Sequence, residues 1–179
     1  MAQIADQKPA AVRRSQVTQP GSPHGRRAAR PDAVILTPEG HRHLAARAAW
    51  LESEHVPELA QRLDDSDNWS ASGAYGRALT ELAHLNSVLG QAITTDALPE
   101  DPGIVELGDE VVVQLDGHTE QFLIVDPVEA TLDQLRISIE SPLSQALLGR
   151  RVGEQVVVDA PAGRYQCHIV TARRHHEVA

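Results

Sequence analysis

The sequence predicts an α+β protein: an antiparallel helical hairpin, followed by a small, mainly antiparallel sheet that carries one short helix. Three observations predict this. Two apolar runs at helical spacing, within Leu44 to Ile93, flank a polar stretch from Asp64 to Gly73. From Glu110 onward the apolar period falls to two. Between Ser141 and Gly149 a short helix carries both its start and its stop signal.

Composition sets the frame. The chain has 179 residues, 41% apolar but only 3% aromatic, so aliphatic side chains and alanine must do the packing. Cys167 is the one cysteine, which excludes an internal disulfide and a multi-cysteine metal site. Its alternation with Tyr165 and Ile169 predicts a buried thiol with a structural role. No apolar run approaches the length needed to span a bilayer, and the N-terminus lacks an apolar signal core, so no membrane is expected and the cytoplasm is the expected location. The formal net charge of −9 argues against a general nucleic-acid binder. Charge is unevenly spread: residues 1–34 hold Lys8, Arg13, Arg14, Arg26, Arg27 and Arg30 against Asp6 and Asp32.

Residues 1–34, rich in Ala, Gln, Pro, Ser and Arg, read as a disordered basic tail, either a solvated extension or a functional arm. The hairpin is expected over 35–98. Thr37-Pro38-Glu39-Gly40 starts its first helix: Thr37 caps, Pro38 takes the first helical position, and Glu39 suits the positive helix end. Leu44, Ala48, Leu51, Val56, Leu59 and Leu63 follow near helical spacing, and Pro57 should bend or loosen the helix. An arm of about 27 residues would reach roughly 40 Å. The return helix carries Tyr75, Leu79, Leu82, Asn86, Leu89 and Ile93 at coiled-coil steps. The polar segment between them is too short for anything but an antiparallel turn-back.

Residues 99–103, Pro-Glu-Asp-Pro-Gly, read as a linker, and 104–173 as the sheet region. Glu110 to Leu115, the Asp116-Gly117 turn and Phe122 to Val125 predict a hairpin. Leu135, Ile137 and Ile139 alternate with polar residues as a third strand. Ser141-Pro142 opens the short helix, Leu143, Leu147 and Leu148 give its apolar face, and Gly149 closes it. Val156 to Val158 and Tyr165 to Thr171 then pair across Pro161-Ala162-Gly163. Residues 174–179 read as a tail.

The run Ser141 to Val158, SPLSQALLGRRVGEQVVV, closely resembles the C-terminal signature of the GreA/GreB transcript-cleavage factors. Leu36 to Gly40, LTPEG, is similar to that family's opening motif, and Pro57-Glu58-Leu59 to a Pro-Glu-apolar step in its first helix. The likeness spans roughly residues 35–172 in order. It implies a coiled coil followed by an FKBP-like domain. It also implies a partner, bacterial RNA polymerase, gripped at the rim of its secondary channel, with nucleic acid of the transcription complex touched only indirectly. The loop ahead of the SPL helix belongs to that grip in the family; here it is Glu140, Ser141, Pro142 and Leu143. Ser141 and Pro142 also cap the helix, and capping and docking can coexist.

The family's chemistry sits at the hairpin tip, where this sequence departs from the pattern. Cleavage-competent members read close to GDLSENAEY there, and the Asp and first Glu help hold a second Mg²⁺ in the polymerase. A hard cation prefers oxygen ligands and needs charge compensation, which two carboxylates supply. Aligning on Tyr75 puts Asn68 in place of the Asp and Ala71 in place of the Glu, while Ser70 keeps its type. The arm is also about three residues shorter than the family spacing, roughly one helical turn. Asp64, Asp65 and Asp67 remain near the tip. They could approach a metal from another angle, block it, or form a solvated acidic turn. Residues 37–98 contain Arg42, Arg47, Arg62 and Arg77 against nine acids, so attraction to phosphate is poor.

The expected function is therefore a polymerase-binding regulator of elongation acting through the secondary channel without stimulating cleavage. It is not expected to be an enzyme, to have catalytic residues, or to hold a metal or cofactor of its own beyond contact with the polymerase's Mg²⁺. The rivals are a cleavage-stimulating factor using displaced tip acids and a module like the related Rnk branch. The nine histidines do not nominate a zinc site: His41 and His43 lie on different helix faces, and His175 and His176 fall in the tail. Only Phe122 and Tyr165 could line an isomerase pocket, and a fold likeness alone does not carry that activity.

Overall fold

The computed structural model describes residues 33–64, 69–115 and 117–176; of residues 64 and 69–71 it describes the backbone alone. The basic tail lies outside these residues except at its end, where Val34 already belongs to a strand. That strand, β1 (Val34–Leu36), pairs in parallel with β2 (Ala92–Thr94), so the chain enters and leaves the hairpin side by side. Ile93 is therefore a strand residue, not the last apolar step of the return helix, because pairing with Ile35 captures the backbone there.

Helix α1 (Pro38–Trp50) starts as the sequence predicts, with the Thr37 hydroxyl accepting from the Gly40 N–H at 2.9 Å. The expected loosening ahead of Pro57 takes the form of one wide turn, Leu51–His55, in which the Val56 N–H reaches five residues back to the Leu51 carbonyl. Pro57 has no N–H to give, and a wider turn relieves its ring against the preceding carbonyls. Helix α2 (Val56–Asp64) completes the arm and α3 (Trp69–Gln91) returns. The return helix thus begins within the stretch expected to be the turn-back.

The hairpin core contains Leu36, Leu44, Ala48, Leu51, Leu59, Ala78, Leu85 and Val88. In α3 the seam runs Tyr75, Ala78, Leu82, Leu85, Leu89, not through Leu79 and Asn86 as their size suggests; Leu79 is 41% exposed and Asn86 is exposed. A step of three from Tyr75 to Ala78 sets the phase, and the small alanine lets the arms approach.

The second layer is a five-stranded sheet in the order β5-β4-β3-β7-β6. Strands β3 (Asp109–Leu115) and β4 (His118–Val125) form the expected hairpin. Gly117 supplies the positive φ of its turn. Strands β6 (Gln155–Ala160) and β7 (Gly163–Arg174) form the other, and β7 also pairs antiparallel with β3. Strand β5 (Arg136–Ser138) runs parallel to β4, an exception to the antiparallel plan. Ile137 and Ile139 pack against the core as the alternation predicts, whereas Leu135, just ahead of the strand, is 62% exposed and Arg136 is buried. Helix α4 (Pro142–Leu147) packs Leu143 and Leu147 onto Val105, Val111, Val113, Ile124, Val156, Val158, Cys167 and Ile169. No helix among the described residues is long and apolar enough to cross a membrane.

Candidate functional site

The loop ahead of α4 is a rigid corner. The Ile139 N–H donates to the Val125 carbonyl at 2.9 Å, and the Ser141 N–H to the Ser138 carbonyl at 2.9 Å. Ser141 stands in extended backbone and its Oγ accepts from the Ser144 N–H at 3.1 Å, the cap predicted from sequence. Ser144 and Leu147 are buried, and Gly149 ends the element at φ +76° with its N–H donating to the Val105 carbonyl. This leaves Glu140 and Pro142 exposed and Ser141 and Leu143 half-buried. These four consecutive residues form a knuckle whose backbone is held by hydrogen bonds at Ile139, Glu140, Ser141 and Ser144. Such a surface binds with little further ordering.

The tip residues stand differently. Asp65, Asp67 and Asn68 lie outside the described residues, and of Asp64, Ser70 and Ala71 the backbone alone is described. Asp64 is the last residue of α2, while Ser70 and Ala71 lie in the first turn of α3. Their placement at the far end of the hairpin follows from those helices. Among the described residues no group of three or more His, Cys, Asp or Glu side chains could hold a metal ion. Cys167 is buried in the sheet core, and burial pushes its thiol up to about 11, well away from a reactive thiolate.

Sequence reasoning missed the polar joint where the hairpin meets the sheet. Glu129, in the connection from β4 to β5, is fully buried. It accepts from the Thr37 N–H at 2.6 Å, from the Thr37 hydroxyl at 2.8 Å, and from Arg136 Nη1 at 3.1 Å. Arg136 also donates to Glu39 at 2.6 Å and to Asp133 at 2.7 Å. Burial pushes the Glu129 carboxyl above its ordinary range, against the pull of Thr37 and Arg136. On the other side of the β1–β2 pair, Arg174 donates to the Thr95 carbonyl at 2.7 Å, to Glu106 at 2.9 Å and to Asp109 at 3.1 Å. His175, expected in a loose tail, instead donates its N–H to the Gly108 carbonyl. Its ring lies 3.7 Å from Glu39 and 3.5 Å from Glu110. The only sequence signal for this joint was the LTPEG run, whose Thr and Gly have local duties that hide their distant partner.

Known proteins resemble the chain over about three quarters of its length. Transcription elongation factor GreA of Roseiflexus sp. (strain RS-1) is 33% identical over 149 residues, covering 76% of this chain and 95% of that one. The chain belongs to the GreA/GreB family. GreA of Thermotoga maritima is 34% identical over 148 residues, covering 74% of this chain and 94% of its own. The family description "Transcription elongation factor, GreA/GreB, C-term" matches residues 100–174, which hold every strand of the large sheet and α4. Among solved structures, GreA factor homolog 1 (Gfh1) of Thermus thermophilus is 28% identical, covering 79% of this chain and 99% of that one, at a TM-score of 0.36. The family is one of transcription elongation factors, and that general role is this protein's. In this GreA/GreB member the knuckle at Glu140–Leu143 lies inside the matched region, and the tip lies outside it.

Proposed function

We propose that this protein docks on bacterial RNA polymerase through the Glu140–Leu143 knuckle and inserts its hairpin into the secondary channel. There it modulates elongation without stimulating transcript cleavage. The observation that carries this reading is the tip pair. A second Mg²⁺ needs anionic oxygen donors, and Asn68 and Ala71 stand where the family pattern has Asp and Glu. A neutral amide is a weaker ligand for a hard cation than a carboxylate, and a methyl group is none. With no carboxylate pair to hold the ion and its water, the hairpin occupies the channel without supplying the chemistry. In this reading the chain is not an enzyme, carries no cofactor, and works where the polymerase is, in the cytoplasm. The hairpin acts as one domain and the sheet, FKBP-like in plan, as the other. Phe122 and Tyr165 are packed against the sheet core, which argues against an isomerase pocket.

A second reading rests on Asp64, Asp65 and Asp67, which keep acidic oxygens at the hairpin end and could serve cleavage from displaced positions. Purified protein and polymerase test the common premise. The protein is expected to co-purify with polymerase, to slow elongation, and to oppose an active Gre factor at high occupancy. Absence of polymerase binding would remove both readings.

A further inference from the structure

The joint between hairpin and sheet has more specific geometry than adhesion requires. The chain passes from hairpin to large sheet once, after β2, while β1 pairs only with β2 at the hairpin base, and a single covalent passage is a torsional pivot. Two polar anchors flank it: the first turn of α1 on Glu129 and Arg136, and the Thr95 carbonyl on Arg174. The first is fitted in shape as well as charge. Thr37 uses its hydroxyl twice, accepting from the Gly40 N–H while donating to Glu129. Gly40 is buried against the same carboxylate, and a Cβ at that position would fall onto the Glu129 carboxyl carbon and both its oxygens. The helix thus seats its first turn directly on a planar carboxylate, which favours the positive end of α1 and fixes direction through the two hydrogen bonds from Thr37. Arg136 alternates with the core-packed Ile137 and is itself buried, with its guanidinium against three carboxylates.

We propose that Glu129 and Gly40 are positioning residues, a carboxylate lock that sets the angle at which the hairpin leaves the sheet. With the knuckle docked, that angle fixes where the tip lies. The consequence for polymerase rests on the proposed function; the lock itself does not.

The test uses the full chain with Ala83→Cys on the exposed face of α3 and Thr119→Cys on β4, both spin-labelled, since both sites are exposed and native Cys167 is buried. Pulsed dipolar spectroscopy should give one narrow distance in the labelled parent. Gly40→Ala and Glu129→Gln should each broaden it without loss of helical circular dichroism, and the double variant should broaden it no further. Glu129→Asp, which draws the carboxylate back, should narrow the distribution again in the Gly40→Ala background. On polymerase, both single variants should still saturate binding, because neither residue lies in the knuckle, while the effect on elongation at saturation should be largely lost, because the tip no longer lies where the parent's does. Glu129→Gln preserves side-chain shape, so it decides the matter if Gly40→Ala does not fold. An unchanged distance distribution in Glu129→Gln overturns the lock, and a broadened one with full effect at saturation overturns its positioning role. If the parent itself has no effect on polymerase, the proposed function fails while the distances still decide the lock.

Discussion

Arg174→Met probes the second anchor of the joint, and its size follows from what the guanidinium touches. The Arg174 side chain is 4% exposed and ends β7 with bonds to Asp109, Glu106 and the Thr95 carbonyl. Methionine keeps much of the volume and removes the charge and all of those donors. Asp109, equally buried, would keep only the Glu106 N–H at 2.8 Å. Leaving one member of a buried ion pair alone costs about 3–5 kcal/mol. For a chain of this size that corresponds to a fall in Tm of roughly 6–20 °C. Burial already pushes the Asp109 carboxyl up, with the Glu106 N–H and Arg174 pulling it down; without Arg174 it rises further. The folded state then binds a proton that the unfolded chain releases, so the variant gains stability as pH falls through the folded pKa towards the ordinary carboxylate range. Thermal melts at pH 8 and pH 5 should therefore show the smaller deficit at pH 5. Adding Asp109→Asn should recover at least about 1 kcal/mol, because the two residues are directly coupled. A fall in Tm under about 2 °C at neutral pH, or a deficit that grows on acidification, would show that Arg174 does not neutralise a buried Asp109.

Other expectations concern the knuckle and the core thiol. Pro142→Glu keeps a residue tolerated in the first helical turn and should weaken polymerase binding at least about tenfold, roughly 1.4 kcal/mol, with Tm unchanged; equal binding by titration removes the knuckle from the interface. Ser141→Ala should cost about 1 kcal/mol in urea denaturation through loss of the α4 cap, and no change would mean that the Ser144 N–H finds another acceptor. Cys167 should resist alkylation at pH 8 in the folded protein and react promptly in denaturant. Its folded pKa is raised, so stability should fall as pH climbs from the ordinary thiol range to about 11, with a slope up to about 1.4 kcal/mol per unit. Rapid native labelling would show that the sheet core opens.

What was legible from sequence was local. The Ser141 cap, the apolar face of Leu143 and Leu147, and the stop at Gly149 all act within nine residues, so their types suffice. Thr37 was equally legible as a cap, but not as the partner of a carboxylate 92 residues away. Ile137 and Ile139 pack on the core as their alternation predicts, but Leu135 precedes the strand and stands exposed, and the burial of Arg136 depends on three carboxylates that no local pattern reveals. Ile93 was read into the helix because its strand partner lies on the far side of the hairpin. In α3 the large Leu79 and the coiled-coil spacing outweighed the small Ala78, although close packing of the arms favours the smaller residue. At the tip, residue type alone carries the chemical expectation for Asn68 and Ala71.

In the proposed function this hairpin enters the channel without the carboxylates needed for cleavage. The most direct measurement is the rate of transcript cleavage in stalled, backtracked complexes with the unmodified protein at saturating concentration. No acceleration over polymerase alone is expected. Strong acceleration that disappears on Asp65→Ala or Asp67→Ala would contradict it and place the working acids at displaced positions on the tip.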